Sequence, residues 1–139
     1  MTVVTGSVEL STQGEVDIID VTEDVRRVVS DCGMNSGIAC IFTRSSTSTV
    51  TTIEYEPGLL RDIPDALERL FPKNMEYGHE QMWHDGNGHS HVRAAFLKPS
   101  LTVPFVDGNL LLGTWQQIVF VELDNKRRNR KLIVQMVGE

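Results

Sequence analysis

The order of apolar and polar residues predicts two strands at the start of the chain, followed by a helix, two more strands and a second helix. Runs rich in β-branched residues predict strands at Val3–Leu10, Val16–Ile19, Ile38–Phe42 and Thr47–Tyr55. Valines at helical spacing from Val21 to Val29 predict a helix between Asp20 and Gly33. Apolar residues on one face predict another helix over Leu59–Phe71.

The second half of the chain begins with a segment of weak periodicity, Pro72–Gly88, which predicts a long loop of the kind that carries function. Alternating or apolar runs then predict strands at His91–Leu97, Leu101–Val106, Leu110–Leu112, Gln117–Leu123 and Lys131–Val137. Strands and helices do not alternate regularly. We therefore expect one α+β domain over residues 1–139, with mostly antiparallel sheets and two helices.

Composition narrows the class of protein. The chain has 139 residues, 40% of them hydrophobic, and a net charge of −6, which is typical of one soluble domain and disfavours nucleic-acid binding. No apolar run approaches the roughly 18 residues that span a membrane, and Met1–Val4 does not resemble a secretory signal. Cys32 and Cys40 form no disulfide framework, so we expect reduced thiols and a cytoplasmic location.

All four histidines of the chain, His79, His84, His89 and His91, fall in one short segment. On the predicted strand, His89 and His91 point to the same face, about 6–7 Å apart, and can converge on one metal. With His79 they would leave an open coordination position, as catalytic zinc sites do. The alternative is a polar loop whose histidines only bond its own backbone.

Three further residues are candidates for the functional site, and each also has a purely structural interpretation. Asp85 is predicted either to orient an imidazole or act as a base, or to stabilise a turn before Gly86. Glu54 shares its strand face with Thr52, which suits an acid or base but also a solvated strand. Thr47 belongs to a hydroxyl-rich stretch that could bind phosphate or simply form an exposed strand.

Residues later in the chain, in the turn 113–116 and among the arginines and lysines, can likewise be interpreted as functional or as structural. In the turn 113–116, Trp115 offers an aromatic plane to a flat ring and Gln116 can pair with its edge, or Trp115 anchors a core or an interface. Arg93 follows His91 with strand parity and could reach a phosphate. The basic run Lys126–Lys131 is either a solvated hairpin turn, an anion clamp or a site of ion pairs between subunits.

Several blocks of sequence resemble the YjbQ-like family, whose members are known as secondary thiamine-phosphate synthases. They are D-G-N-G-H-S-H at 85–91, G-T-W-Q at 113–116 and T-T-I-E-Y-E-P-G at 51–58. The resemblance covers nearly the whole chain. It implies a compact α+β fold, a homotrimer and a histidine-lined pocket near the subunit boundary.

The resemblance also implies roles for individual residues. The family's tyrosine-x-histidine pattern falls on Tyr77 and His79, and Ser45 stands where many members have a histidine. The implied reaction joins a pyrimidine-methyl diphosphate to a thiazole phosphate and releases pyrophosphate. The expected catalytic residues are Glu54 and Asp85; the substrate-binding residues are Thr47, Ser90, Arg93, Thr114, Trp115 and Gln116; the metal ligands are His79, His89 and His91.

The expected cofactor is a divalent metal. Its identity depends on whether the histidine ligands or the phosphate oxygens of the substrate determine which metal binds. Three imidazoles favour zinc, whereas a diphosphate substrate favours Mg²⁺. Two other functions stay open. One is a metal-dependent phosphoester hydrolase, and the other is a non-enzymatic trimeric protein that binds a metabolite.

Overall fold

Two antiparallel sheets and four helices make up the computed structural model, which describes residues 1–139. The strands are β1 (Thr2–Ser11), β2 (Asp17–Asp20), β3 (Ser36–Thr43), β4 (Ser48–Ile53), β5 (Ser100–Val106), β6 (Asn109–Leu110), β7 (Gln117–Glu122) and β8 (Asn129–Gly138). The helices are α1 (Thr22–Asp31), α2 (Pro57–Leu70), α3 (Gly78–Trp83) and α4 (Gly88–Leu97). The predicted α+β class is confirmed.

The larger sheet has the order β1-β8-β3-β5-β6 and the smaller sheet has the order β2-β7-β4. Strand β7 lies between two hydrophobic clusters because its side chains alternate between them. Ile118 and Phe120 belong to the main core with α1, while Val119 and Val121 pack with residues of α2 and α4. The smaller sheet is therefore covered on both faces. No helix has the length and apolar character needed to cross a membrane.

The predicted strand over His91–Leu97 is wrong, because these residues belong to helix α4. Only one β-branched residue occurs there, and Ala94 and Ala95 are strong helix formers. The buried positions of α4 include His89, Ser90, Arg93 and Ala94, which recur at helical spacing. The alternation of His89 and His91 predicted a strand. The helix forms instead because it buries one face of α4 against β4 and α2.

The expected count of two helices is also wrong. Helix α3 lies inside the segment that was predicted to be a loop. Helix α2 begins at Pro57, two residues before the predicted start, because the Glu56 carboxylate accepts hydrogen bonds from the backbone N–H groups of Gly58 and Leu59. The motif T-T-I-E-Y-E-P-G therefore ends a strand and caps a helix.

Candidate functional site

The candidate site lies where α3 meets the start of α4, and a single carboxylate joins the two helices. Glu80 Oε1 accepts a hydrogen bond from Gly88 N at 2.7 Å, and Oε2 accepts one from Gly86 N at 2.6 Å. A Cβ at Gly88 would lie 2.6 Å from Tyr77 Cβ, so only glycine permits this close approach. These contacts place the side chains of α3 directly beside the first turn of α4.

His79 and His91 come together at this junction with Asp85. His79 Nε2 lies 3.0 Å from Asp85 Oδ1, and the His79 and His91 ring centroids are 4.3 Å apart. Ligand atoms of His79, Glu80 and Asp85 all lie within 4.8 Å of one another. Imidazole nitrogen and carboxylate oxygen are suitable ligands for a divalent cation. The arrangement can hold a metal or move a proton between the two groups.

The environment of His91 favours its neutral form. Burial lowers the pKa of His91, repulsion from His79 lowers it further, and these effects outweigh the attraction of Asp85, Asp124 and Glu80. A neutral imidazole is the form that binds a metal. His91 also borders a cavity of about 230 Å³ that is lined in part by Ser45, Ser46 and Ser48.

His89 is not brought to His79 and His91, contrary to the strand geometry that we expected. Two residues along a helix are turned about 200° apart, so His89 and His91 leave α4 on opposite sides. His89 is 1% exposed, and its Nε2 lies 2.5 Å from Glu15 Oε2. Lys73 Nζ binds the other oxygen of Glu15 at 2.7 Å. Lys73 and His89 border an open cavity of about 510 Å³, which Tyr77 and Glu80 of the α3–α4 junction line as well.

A buried polar network around Asp124 lies next to the His79–Asp85 pair, and Asn87 lies between the two. Asp124 accepts hydrogen bonds from Arg128 Nη2 at 2.7 Å, Thr47 Oγ1 at 3.2 Å and Asn87 Nδ2 at 3.3 Å. Burial raises the pKa of the Asp124 carboxyl, but the hydrogen bonds from Arg128, Asn87 and the Asn125 backbone outweigh it, so the pKa lies below its ordinary value. Asp124 therefore remains ionised at neutral pH.

A second carboxylate, Glu122 at the end of β7, extends this network. Glu122 is fully buried, and Arg130 binds it through Nε at 2.8 Å and Nη2 at 2.6 Å. The same guanidinium donates to Ser45 Oγ at 2.9 Å and Thr47 Oγ1 at 3.1 Å. Two arginines of the basic run thus bind buried carboxylates, while Lys126, Arg127 and Lys131 are exposed.

Two predicted substrate-binding residues of α4 lie inside the protein. The Arg93 guanidinium is buried and donates to Glu68 Oε2 at 3.0 Å and to the Phe71 carbonyl at 2.8 Å. It therefore ties α4 to the end of α2. The Ser90 hydroxyl is fully buried and has no hydrogen-bond partner. The structure brings neither side chain to the His79–Asp85 pair.

Of the other predicted site residues, Thr47 is bonded to Asp124, whereas Glu54 and residues 114–116 lie at the opposite end of the smaller sheet. Ser48 pairs with Glu122 at one end of β4, and Ile53 pairs with Gln117 at the other, about 17 Å away at the rise of a β-strand. The first end, with His79, Asp85, His91, Thr47 and Asp124, is called the histidine end. The second end, with Glu54, Thr114, Trp115 and Gln116, is called the tryptophan end.

Exposed side chains dominate the tryptophan end. Trp115 is 70% exposed, and Glu54 and Thr114 are exposed as well. Gln116 Oε1 accepts a hydrogen bond from Gly113 N at 2.8 Å, so the amide closes its own turn. The Trp115 ring is therefore presented to solvent by a locally stabilised turn and is not a core residue of this chain.

Sequence reasoning missed Glu80, Asn87 and Asp124, which shape the histidine end, and Glu15, which binds His89 on the other side of α4. Asn87 was visible within the D-G-N-G motif, and the carboxylate of Asp124 precedes a basic run, which predicts local ion pairs. Glu15 gave no local signal, because its partner His89 is 74 residues away in the chain. Only the tertiary fold brings those two side chains together.

The geometry defines a class: a small α+β protein with a histidine–carboxylate cluster at the start of a helix, beside a small, mostly apolar cavity. The family model described as UPF0047 protein YjbQ-like matches residues 6–139. The chain belongs to this YjbQ-like UPF0047 family. A UPF0047 protein of Methanothermobacter thermautotrophicus is 42% identical over 139 residues, which is 100% of this chain and 95% of that protein.

Solved structures agree with this membership. A protein of Sulfolobus solfataricus, described as YbjQ-like and of unknown function, has a TM-score of 0.94 at 33% identity and covers 99% of both chains. A YjbQ/UPF0047 protein of Clostridium acetobutylicum has a TM-score of 0.85 at 33% identity, over 94% of this chain and 98% of the other. The family and its fold are therefore shown for this chain.

Proposed function

We propose that the chain is a metal-assisted enzyme that acts on a phosphorylated small molecule at the histidine end. The observation that carries this proposal is the 3.0 Å approach of His79 Nε2 to Asp85 Oδ1, with the His91 ring beside them. Such a cluster, reachable from solvent because Asp85 is 41% exposed, suits a catalytic metal with open positions. A bound divalent cation would supply charge neutralisation for a phosphate or diphosphate group.

The reaction that we propose is the thiamine-phosphate synthase type of transfer. The thiazole nitrogen attacks the methylene carbon of the pyrimidine substrate and forms a C–N bond. The C–O bond to the diphosphate breaks, and pyrophosphate leaves with the electron pair. His79 and Asp85 would hold the metal, and the metal would neutralise the charge of the phosphate groups. Trp115 would stack on a substrate ring, and Glu54 would exchange a proton with the leaving pyrophosphate.

This assignment requires the two ends of the smaller sheet to act on one substrate pair, although they are about 17 Å apart in one chain. We propose a homotrimer, in which the tryptophan end of one subunit approaches the histidine end of its neighbour. The exposure of Trp115 supports such a contact, since aromatic side chains are enriched in interfaces. We propose a cytoplasmic location, which suits the unpaired Cys32 and Cys40.

A phosphoester hydrolase is the second candidate, and the same separation of the two ends favours it. Hydrolysis needs a metal-activated water and a phosphate site but no second organic substrate, so the histidine end would suffice alone. Asp85 would then act as the base that orients or deprotonates the water. In this reading the tryptophan end has no part in the chemistry.

A product assay separates these candidates. The purified chain, supplied with Zn²⁺, Mg²⁺ or Mn²⁺ in turn, is incubated with the pyrimidine-methyl diphosphate and the thiazole phosphate, together and singly. The synthase predicts thiamine phosphate and one pyrophosphate per product, only when both substrates are present. The hydrolase predicts free phosphate from either substrate alone. Binding without either product would leave a non-enzymatic metabolite-binding protein.

A further inference from the structure

The cavity of about 230 Å³ at the histidine end has walls of short side chains. On α4, His91, Ala94 and Ala95 line it, and their spacing of three and four residues places them on one face of the helix. Another part of the wall comes from the connection between β3 and β4, with Ser46, and from Ser48 at the start of β4. The cavity exists because none of these residues except His91 has a side chain long enough to fill it.

The lining offers little to a charged or strongly polar group. No aspartate, glutamate, lysine or arginine is among the lining residues. Two of the serine hydroxyls are already bonded within the protein. Ser45 Oγ accepts a hydrogen bond from Arg130 Nη1 at 2.9 Å, and Ser48 Oγ lies 2.8 Å from Thr43 Oγ1. The cavity surface is therefore mostly apolar, and an apolar group that enters it is removed from water.

We propose that this cavity binds one compact, uncharged ring of the substrate, and that Ala95 and Ser46 limit the size of that ring. The inference rests on the proposed function and deepens it by naming the substrate class, a single ring joined by a short link to a phosphate or diphosphate. A cavity of about 150 Å³ can hold benzene, so this cavity has room for one ring. The aromatic imidazole of His91 is a suitable neighbour for it.

The place of the cavity beside the His79–Asp85 pair determines how long the link must be. His91 lines the cavity, and its ring centroid lies 4.3 Å from that of His79. His79 Nε2 in turn lies 3.0 Å from Asp85 Oδ1. One imidazole thus separates the cavity from the atoms proposed to hold the metal. A link of a few atoms spans that separation, so the ring and the phosphate of one small molecule can be bound together.

Nuclear magnetic resonance tests ring binding without metal or phosphate. The isotope-labelled full chain is titrated with benzyl alcohol, a neutral ring, and wild type is expected to bind it with shifts in the amides of α4 and residues 45–48. Ala95→Phe and Ser46→Phe should each weaken binding at least roughly tenfold, because a filled cavity cannot bury the apolar surface of the probe. Both positions are exposed, so the fold should tolerate the larger side chain. Ser30→Phe, at an exposed position of α1, is the matched control.

The proposal is overturned if benzyl alcohol does not bind wild type, or if both cavity variants bind it as Ser30→Phe does. Weaker binding in either cavity variant supports it. A second titration, with Mn²⁺ present, compares benzyl phosphate with methyl phosphate. Wild type is expected to prefer benzyl phosphate roughly tenfold, since only that ligand has a ring to bury. Equal affinities would overturn the substrate class. If neither phosphate binds, the proposed function fails, whereas the benzyl alcohol titration still decides whether the cavity binds a ring.

Discussion

The two ends of the smaller sheet carry similar numbers of predicted site residues, but they are built in opposite ways. At the histidine end, Asp124 and Thr47 are buried and bonded to partners from distant segments. At the tryptophan end, Trp115 is 70% exposed and its turn is closed by a local bond from Gly113 to Gln116. A pre-organised polar cluster can bind a small ligand alone, whereas an exposed ring needs a second surface to act.

The largest expected effect concerns the ion pair that underlies the histidine end. Arg130→Met is predicted to lower the free energy of unfolding by about 3–5 kcal/mol, because Glu122 would remain buried without its cation. Urea denaturation measures the change. Lys126→Met, in the same hairpin but exposed, is the control and should stay within about 0.5 kcal/mol of wild type. Equal stabilities of the two variants would contradict the structural role of the pair.

The next effect separates catalysis from stability at the histidine end. Asp85→Asn is predicted to reduce turnover roughly 100-fold, because it removes the negative charge that orients His79 or holds the cation. The thermal midpoint should change little, since the Asp85 side chain is 41% exposed. Asp107→Asn, in the turn after β5, is the matched control with wild-type turnover. Unchanged turnover in Asp85→Asn would remove Asp85 from the chemistry.

A smaller effect is expected at the tryptophan end. Trp115→Ala is predicted to raise KM three- to tenfold, which corresponds to the loss of about 0.5–1.5 kcal/mol of ring stacking. Monomer stability should remain within about 0.5 kcal/mol, because little of the ring is buried. Trp83→Ala removes an equally exposed ring from α3 and is expected to leave KM unchanged. An unchanged KM in Trp115→Ala would favour the hydrolase reading over the transferase.

The smallest effect is a pH dependence that belongs to Glu15, the partner of His89 on the far side of α4. Burial raises the pKa of Glu15, but hydrogen bonds and attraction from Lys73 and His89 outweigh it, so the pKa lies below the ordinary value of 4.5. The stabilisation from Glu15 is therefore fully present above pH 4.5 and is lost as the pH falls through the lowered pKa. Urea midpoints of wild type and Glu15→Gln should converge at acid pH. Parallel curves would mean that Glu15 does not contribute in this way.

Much of the fold followed from local pattern. Strands β3, β5 and β7 and helix α1 are short, strongly patterned segments, and each was predicted within a few residues of its bounds. The error at α4 has a physical cause: alternation of His89 and His91 mimics a strand, while the helix is fixed by packing of Ala94 and Arg93 against other elements. A short alternating pattern predicts a strand, but it does not show which of its residues the tertiary fold will bury.

The candidate site was predictable only in part, for the same reason. His79, Asp85 and His91 are neighbours in sequence, and the fold keeps them together. Glu15 and Asp124 come from remote segments, so no motif connects them to the histidines. The separation of Glu54 and Trp115 from His79 follows from the direction of β4 and β7, which depends on sheet register and not on motif content.

The central claim is that the histidine end of each chain binds one divalent cation through His79 and Asp85. Elemental analysis after equilibration with Mn²⁺ and desalting tests it most directly, on wild type, His79→Ala and His89→Ala. The account predicts one equivalent of metal in wild type, a loss in His79→Ala and retention in His89→Ala, because His89 binds Glu15 instead. Metal-free wild type, or equal metal in His79→Ala and wild type, would contradict it.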